Sequence, residues 1–168
     1  MYTTTENRTI KLVLRKSSSE NYLRFVFNSP AGQPVIITRD HELGQYLFSR
    51  VRTGGSVRYR KPDFEGIEIN LIMPAHGNDC GRHKFSLYSQ EDMVRINDFI
   101  ESCAYLDFRM MVQTGNIDLK MDKKTVISIY SDLFYGEDKY EMLKKDEYRK
   151  RKKIKELLQN AAKWLNYK

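Results

Sequence analysis

Cysteine is scarce in this chain of 168 residues, and so is proline: two of one and four of the other. Cys80 and Cys103 stand 23 positions apart, which excludes the dense disulfide framework of small secreted domains. Apolar runs stay far short of the roughly 18–20 residues a membrane span needs. The opening stretch MYTTTENRTIKLVLRK has neither the apolar segment nor the small-residue cleavage site of a signal peptide. The expected compartment is therefore the cytoplasm, with no membrane partner. Catalytic signatures are missing too. The pair Gly54–Gly55 lacks the Gly-Lys-Ser/Thr ending of a P-loop, and no cofactor is expected.

Acid is in short supply in one region only. From residue 139 to 168, 11 Lys/Arg face 4 Asp/Glu, whereas the first 138 residues carry 18 of each. The whole net charge of +7 thus sits near the C-terminus. A concentrated field of this kind attracts polyanions; an even spread would serve solubility alone. Aromatics, by contrast, are plentiful, with eleven Tyr and eight Phe among 40% apolar residues. That is enough for a folded core rather than disorder.

Periodicity outlines the elements. Ile10, Leu12 and Leu14 alternate with Lys11, Val13 and Arg15, the period of a half-buried strand. Ser17 and Glu20 have capping-box spacing ahead of Tyr22, Leu23, Val26 and Phe27, which predicts a helix. A second strand is the alternative there, because Phe25, Val26 and Phe27 favour β-structure. VIIT (35–38) reads as a short buried strand. Asp40 is the expected N-cap of a helix whose Leu43, Leu47 and Val51 share one face. Val57 and Tyr59, then Ile67, Ile69, Leu71 and Met73, alternate on either side of KPDFEG, which predicts a β-hairpin over about 56–73. Ser89, with Asp92 three residues on, caps a helix to about Val112. Its stripe of Met93, Ile96, Ile100, Cys103 and Ala104 puts Cys103 in the core. After a connector at 113–122, helices are expected over about 124–135 and from Glu137 to Asn166, parted at Gly136. The fold class is α+β: a mainly antiparallel sheet covered by helices over residues 1–112, then a basic all-helical segment over 113–168.

Six of the seven residues from Arg149 to Lys155 are basic. An apolar stripe opens with Tyr140 and Leu143 and resumes with Ile154, Leu157, Leu158, Ala161 and Leu165. Between them Glu147, Lys150 and Arg151 occupy the same face, so 144–153 is charged nearly all round. Such a stretch does not pack its middle on a core. Lys145–Arg149 and Arg151–Lys155 are like-charge pairs at i, i+4, each costing roughly 0.2–0.5 kcal/mol, and a polyanion would relieve that cost with counterion release. Against this stands the solvated-helix reading, favoured by the attractive pairs Glu141–Lys145 and Lys152–Glu156. A membrane helix would set its cations against a broad apolar face, whereas here cations and apolar stripe sit mostly in successive segments. A standard helix-turn-helix fits poorly. Asp132 falls where a small residue packs, and Lys145 where an apolar residue anchors. The expected partner is nucleic acid, DNA ahead of RNA, held by Lys144, Lys145, Arg149, Lys150, Arg151, Lys152, Lys153 and Lys155.

A second basic run, SRVRTGGSVRYRK, holds Arg50, Arg52, Arg58, Arg60 and Lys61 without an acid. In the hairpin reading it forms a second phosphate contact beside the glycine pair. AHGNDCGRH gathers His76, Asp79, Cys80 and His83, all ligand types for zinc. Their spacing fits no common zinc module, so a polar loop without metal is expected. A nuclease would need a histidine and carboxylates set to activate water, and nothing in the spacing selects that.

The strand ending in IMP, the polar loop, KFSLYSQEDMVRINDFI and the terminal YRKRKKIKELL together resemble small basic proteins carried by phages and mobile elements. The resemblance covers about residues 67–155 and implies a DNA-associated regulatory or packaging role. The chain departs from that pattern in carrying Met-Pro rather than Leu-Pro, and in its His/Cys loop. The function expected is non-catalytic DNA binding. The alternative is an interaction module whose basic helix pairs with an acidic partner, or with its own copy through Ile154, Leu158, Ala161 and Leu165.

Overall fold

The computed structural model describes residues 8–53, 60–74, 86–135 and 139–165. Strands β1 (Arg8–Leu14), β2 (Val35–Ile36) and β4 (Ile67–Met73) make a three-stranded sheet in the order β1-β4-β2. A second, two-stranded sheet joins β3 (Arg52–Thr53) to β5 (Ser86–Leu87). Five helices complete the α+β fold: α1 (Ser17–Val26), α2 (Glu42–Ser49), α3 (Gln90–Ile117), α4 (Lys123–Phe134) and α5 (Tyr140–Leu165). Two compact units result, residues 1–105 and 106–168, and their boundary falls inside α3. The sequence-based division at 112/113 lies further along the same helix. None of the described helices is long and apolar enough to cross a membrane.

In the first unit, β1 pairs antiparallel with β4, placing Ile10 opposite Leu71 and Leu12 opposite Ile69. All four are buried, as period-two alternation requires. Lys11 and Glu68 form an ion pair at 2.6 Å from these same two strands, while Val13, expected on the exposed face, is buried too. β2 runs parallel to β4 on its other side. Among the described residues β4 pairs with β1 and β2; the first arm of the expected hairpin, Val57 to Tyr59, lies outside the described residues. The hydrophobic alternation identified the strand but not its neighbours.

Segment 17–26 is helical and buries Tyr22 and Leu23, which settles the strand alternative. Ser17 does not cap it. Lys16 occupies the N-cap position, and Glu20 instead pairs with Arg24 at 2.8 Å. Arg24 also donates to the carbonyls of Pro30 and Gln33, fastening the loop after α1. For α2 the cap is His41 rather than Asp40: its Nδ1 accepts from the Leu43 N–H at 3.0 Å. α2 ends at Ser49, so Val51 falls beyond it. Gly44 is required there, because a Cβ would lie 1.8 Å from the Thr38 carbonyl oxygen.

The start of α3 follows its sequence signature. The Asp92 N–H donates to Ser89 Oγ at 3.1 Å, and Ser89 Oγ–H donates to the Asp92 carboxylate at 2.6 Å. Met93, Ile96, Ile100 and Ala104 are buried as the stripe predicts, but Cys103 at the stripe's edge is only half-buried. The helix runs to Ile117, through half of the expected connector. Asn97 is fully buried on the core face. Its Oδ1 accepts from the Arg15 N–H at 2.8 Å, and its Nδ2 donates to the carbonyls of Val13 (2.9 Å) and Met93 (2.8 Å). A buried donor or acceptor stripped of its partner costs about 1–3 kcal/mol. Replacing Asn97→Leu orphans the Arg15 N–H and the Val13 carbonyl. Urea denaturation should show a loss of about 2–4 kcal/mol, and an unchanged midpoint would contradict this role.

Candidate nucleic-acid interface

The second unit is built around aromatic packing. Phe108 and Val112 of α3 meet Val126, Ile127, Tyr130 and Phe134 of α4 in a buried cluster, with Phe108–Tyr130 and Tyr130–Phe134 ring centroids 4.9 and 4.6 Å apart. Gly115 permits this approach, since a Cβ there would lie 2.7 Å from Val126 Cγ2. Leu143 is the one fully buried side chain among those described in α5. The next turn is held by charge: Asp146 faces Arg109 at 3.7 Å, and Glu147 lies 3.9 Å from Lys123 and 3.7 Å from Arg151. The polar middle of α5 therefore does pack at its first turn, through carboxylates matched to cations on α3 and α4.

From Tyr148 to Lys163 every residue is exposed. That stretch is about 24 Å of helix at 1.5 Å per residue. At 100° per residue, Lys145, Arg149, Lys152 and Lys155 fall on the side away from Leu143, and Lys153 lies at the edge of that side, about 80° from Leu143. None of these five has an ion-pair partner among the described residues. Lys144 is engaged, by Glu141 at 3.2 Å and by the Tyr140 ring. Lys150 and Arg151 point to the Leu143 side, where they line a groove of about 280 Å³ with Arg109, Lys123, Glu147 and Ile154. Ile154 continues outward into Leu157 and Leu158, which are 57% and 66% exposed. The sequence reading missed Arg109 and Lys123. No local pattern marks them, because only the packing of α3 and α4 brings them to α5.

The second basic run is divided by the structure. Arg52 Nε donates to Asp92 Oδ2 at 2.9 Å, and Arg50 lies 3.9 Å from Oδ1. Arg50 also stacks over Tyr46, which stacks on Phe99 at 4.0 Å. Both arginines thus serve as counter-ions to a carboxylate only 2% exposed, although Arg52 keeps 56% of its side chain in solvent. Arg60 and Lys61 are exposed. Arg58, the Gly54–Gly55 pair and the cluster His76, Asp79, Cys80 and His83 lie outside the described residues. Among those that are described, no three His, Cys, Asp or Glu side chains are grouped to hold a metal ion. Comparison with protein-family models, with curated proteins and with solved structures finds no match for this chain.

Asp92 also gives the first unit a pH dependence. Burial pushes its carboxyl up, but hydrogen bonds from Arg52 and Ser89 and the charges of Arg52 and Arg50 outweigh this and hold it below the ordinary carboxylate value. A depressed folded-state pKa means stability that is fully present above the unfolded value near about 4 and lost as pH falls through the folded one. The urea midpoint should therefore drop as pH is lowered through and below the ordinary carboxylate value of about 4, and Asp92→Asn should flatten part of that drop. Parallel curves for the two proteins would remove Asp92 from the acid response.

Proposed function

We propose that the protein is a non-catalytic DNA-binding protein that grips the phosphate backbone with the outer face of α5. The observation that carries this reading is the set of five cations, Lys145, Arg149, Lys152, Lys153 and Lys155, exposed on one side of a helix without carboxylate partners among the described residues. Like charges at Lys145–Arg149 and Arg149–Lys153 repel at i, i+4. A phosphate track removes that repulsion and releases condensed counterions. A single helix, about 10–12 Å across with its side chains, suits the B-form major groove of about 12 Å. The major groove of A-form RNA is too narrow and deep to read, so duplex DNA is the favoured ligand. Arg60 and Lys61 are available as a subsidiary contact, whereas Arg50 and Arg52 are held by Asp92. Contacts of this kind position a protein on DNA without selecting sequence. The reading keeps the protein in the cytoplasm, a compartment where cysteine thiols such as that of Cys103 stay reduced.

Five phosphate contacts give a slope of about −4.5 in log K against log salt. Affinity for a random-sequence duplex should fall on the order of 500-fold between about 50 and 200 mM salt. The triple variant Arg149→Gln, Lys152→Gln, Lys153→Gln should reduce the magnitude of the slope by about three. Fluorescence anisotropy on the full chain measures both. Absence of binding at low salt, or a variant with an unaltered slope, overturns the reading.

A further inference from the structure

The groove on the inner side of α5 is a different surface, and phosphate recognition does not explain it. Its walls are apolar where Val112 and Ile117 of α3 face Ile154 of α5. Ile117 and Ile154 are 64% and 52% exposed, and the apolar surface runs on along α5 through Leu157 and Leu158. Four cations stand around these walls: Arg109, Lys123, Lys150 and Arg151. Their internal partners are distant. The ion pairs of Arg109, Lys123 and Arg151 span 3.7–3.9 Å, and Lys150 has none among the described residues. Contiguous exposed apolar surface rimmed by charge marks a docking site.

The chemistry of the walls selects the occupant. Phosphate gains nothing from isoleucine and valine, and Glu147 in the groove repels it. A second copy of α5 would bring like charge together, since residues 148–163 carry seven Lys/Arg and one Glu. The volume of about 280 Å³ falls just short of the roughly 300–1,000 Å³ typical of cofactor and small-molecule sites. It suits one or two anchoring side chains. A membrane surface would force Lys150 and Arg151, on the same side as Ile154, toward the acyl layer. We propose that this groove docks an acidic amphipathic helix of a partner protein, with two apolar anchors at i and i+3 or i+4 between Ile117 and Ile154 and carboxylates against Arg109, Lys123, Lys150 and Arg151. The proposal rests on the inner face of α5 and is independent of the DNA contact on its outer face.

The test is to pan a displayed library of helical peptides, each about 16 residues (~24 Å) long, against the full chain, then titrate an enriched peptide. Ile117→Gln with Ile154→Gln is the comparison variant; both side chains are surface-exposed, so the fold is retained, and circular dichroism checks this. Enriched peptides should be acidic with apolar residues at helical spacing. They should bind the variant about tenfold more weakly, while its affinity for duplex DNA stays within about twofold. No enrichment, enrichment for acidity regardless of apolar spacing, or equal binding to the variant overturns the proposal. So does loss of DNA binding in the variant, which would assign the groove to nucleic acid. Loss in the variant of co-sedimentation with phosphatidylserine vesicles, or of a dimer seen by analytical ultracentrifugation, would overturn it in favour of a lipid surface or a second copy.

Discussion

A single buried amide organises the first unit. Asn97 satisfies one N–H and two carbonyls with no exposure to solvent, and two of those three groups belong to the end of β1 and the residue just after it. Backbone groups leaving a sheet must find partners somewhere. Here the side chain of α3 supplies them, so the strand can end while its last turn stays dry. The same helix is fixed one turn earlier by Asp92, which exchanges two hydrogen bonds with the capping hydroxyl of Ser89 and holds two arginine counter-ions. Two polar residues spaced five apart thus set both the rotation and the start of α3. Its apolar stripe then supplies bulk burial without having to specify register.

The second unit uses charge differently. Its core is aromatic and belongs to α3 and α4, and among the described side chains of α5 Leu143 alone is fully buried in it. Asp146 and Glu147 add ion pairs to Arg109 and Lys123, partly exposed and at distances too long for strong hydrogen bonds. An anchor of this size holds the beginning of a helix and leaves residues 148–163 in water. The surplus of positive charge falls on the part left in water. Two faces follow from the helical repeat alone: an outer one of cations that have no carboxylate partner among the described residues, and an inner one where isoleucine and leucine alternate with Lys150 and Arg151.

Local patterns were legible wherever the chain interacts with itself at short range. The capping box at Ser89, the alternation in β1 and β4, and the stripe of α3 are read correctly from neighbouring residues, because each is a local interaction or a single period. Local patterns did not reveal partners that come from far along the chain. The strand at 67–73 pairs with residues 8–14 and 35–36, which its own alternation does not name. Arg50 and Arg52 looked like free cations because Asp92 is 40 positions from the nearer one in sequence, though the two touch in space. Asp40 looked like a cap because carboxylates usually are; His41, whose Nδ1 accepts from the Leu43 N–H, does the same work.

The sequence by itself determined the α+β class, the uneven distribution of charge and the existence of a long basic C-terminal helix. Each of these depends on composition or on a period of two or 3.6, and both are properties of adjacent residues. The tertiary structure alone decided which cations are spent on carboxylates and which remain. It withdrew Arg50 and Arg52, added Arg109 and Lys123, and separated α5 into two chemically distinct faces. Pairing of charges depends on distance through space, and sequence separation carries almost no information about that distance once the chain has folded.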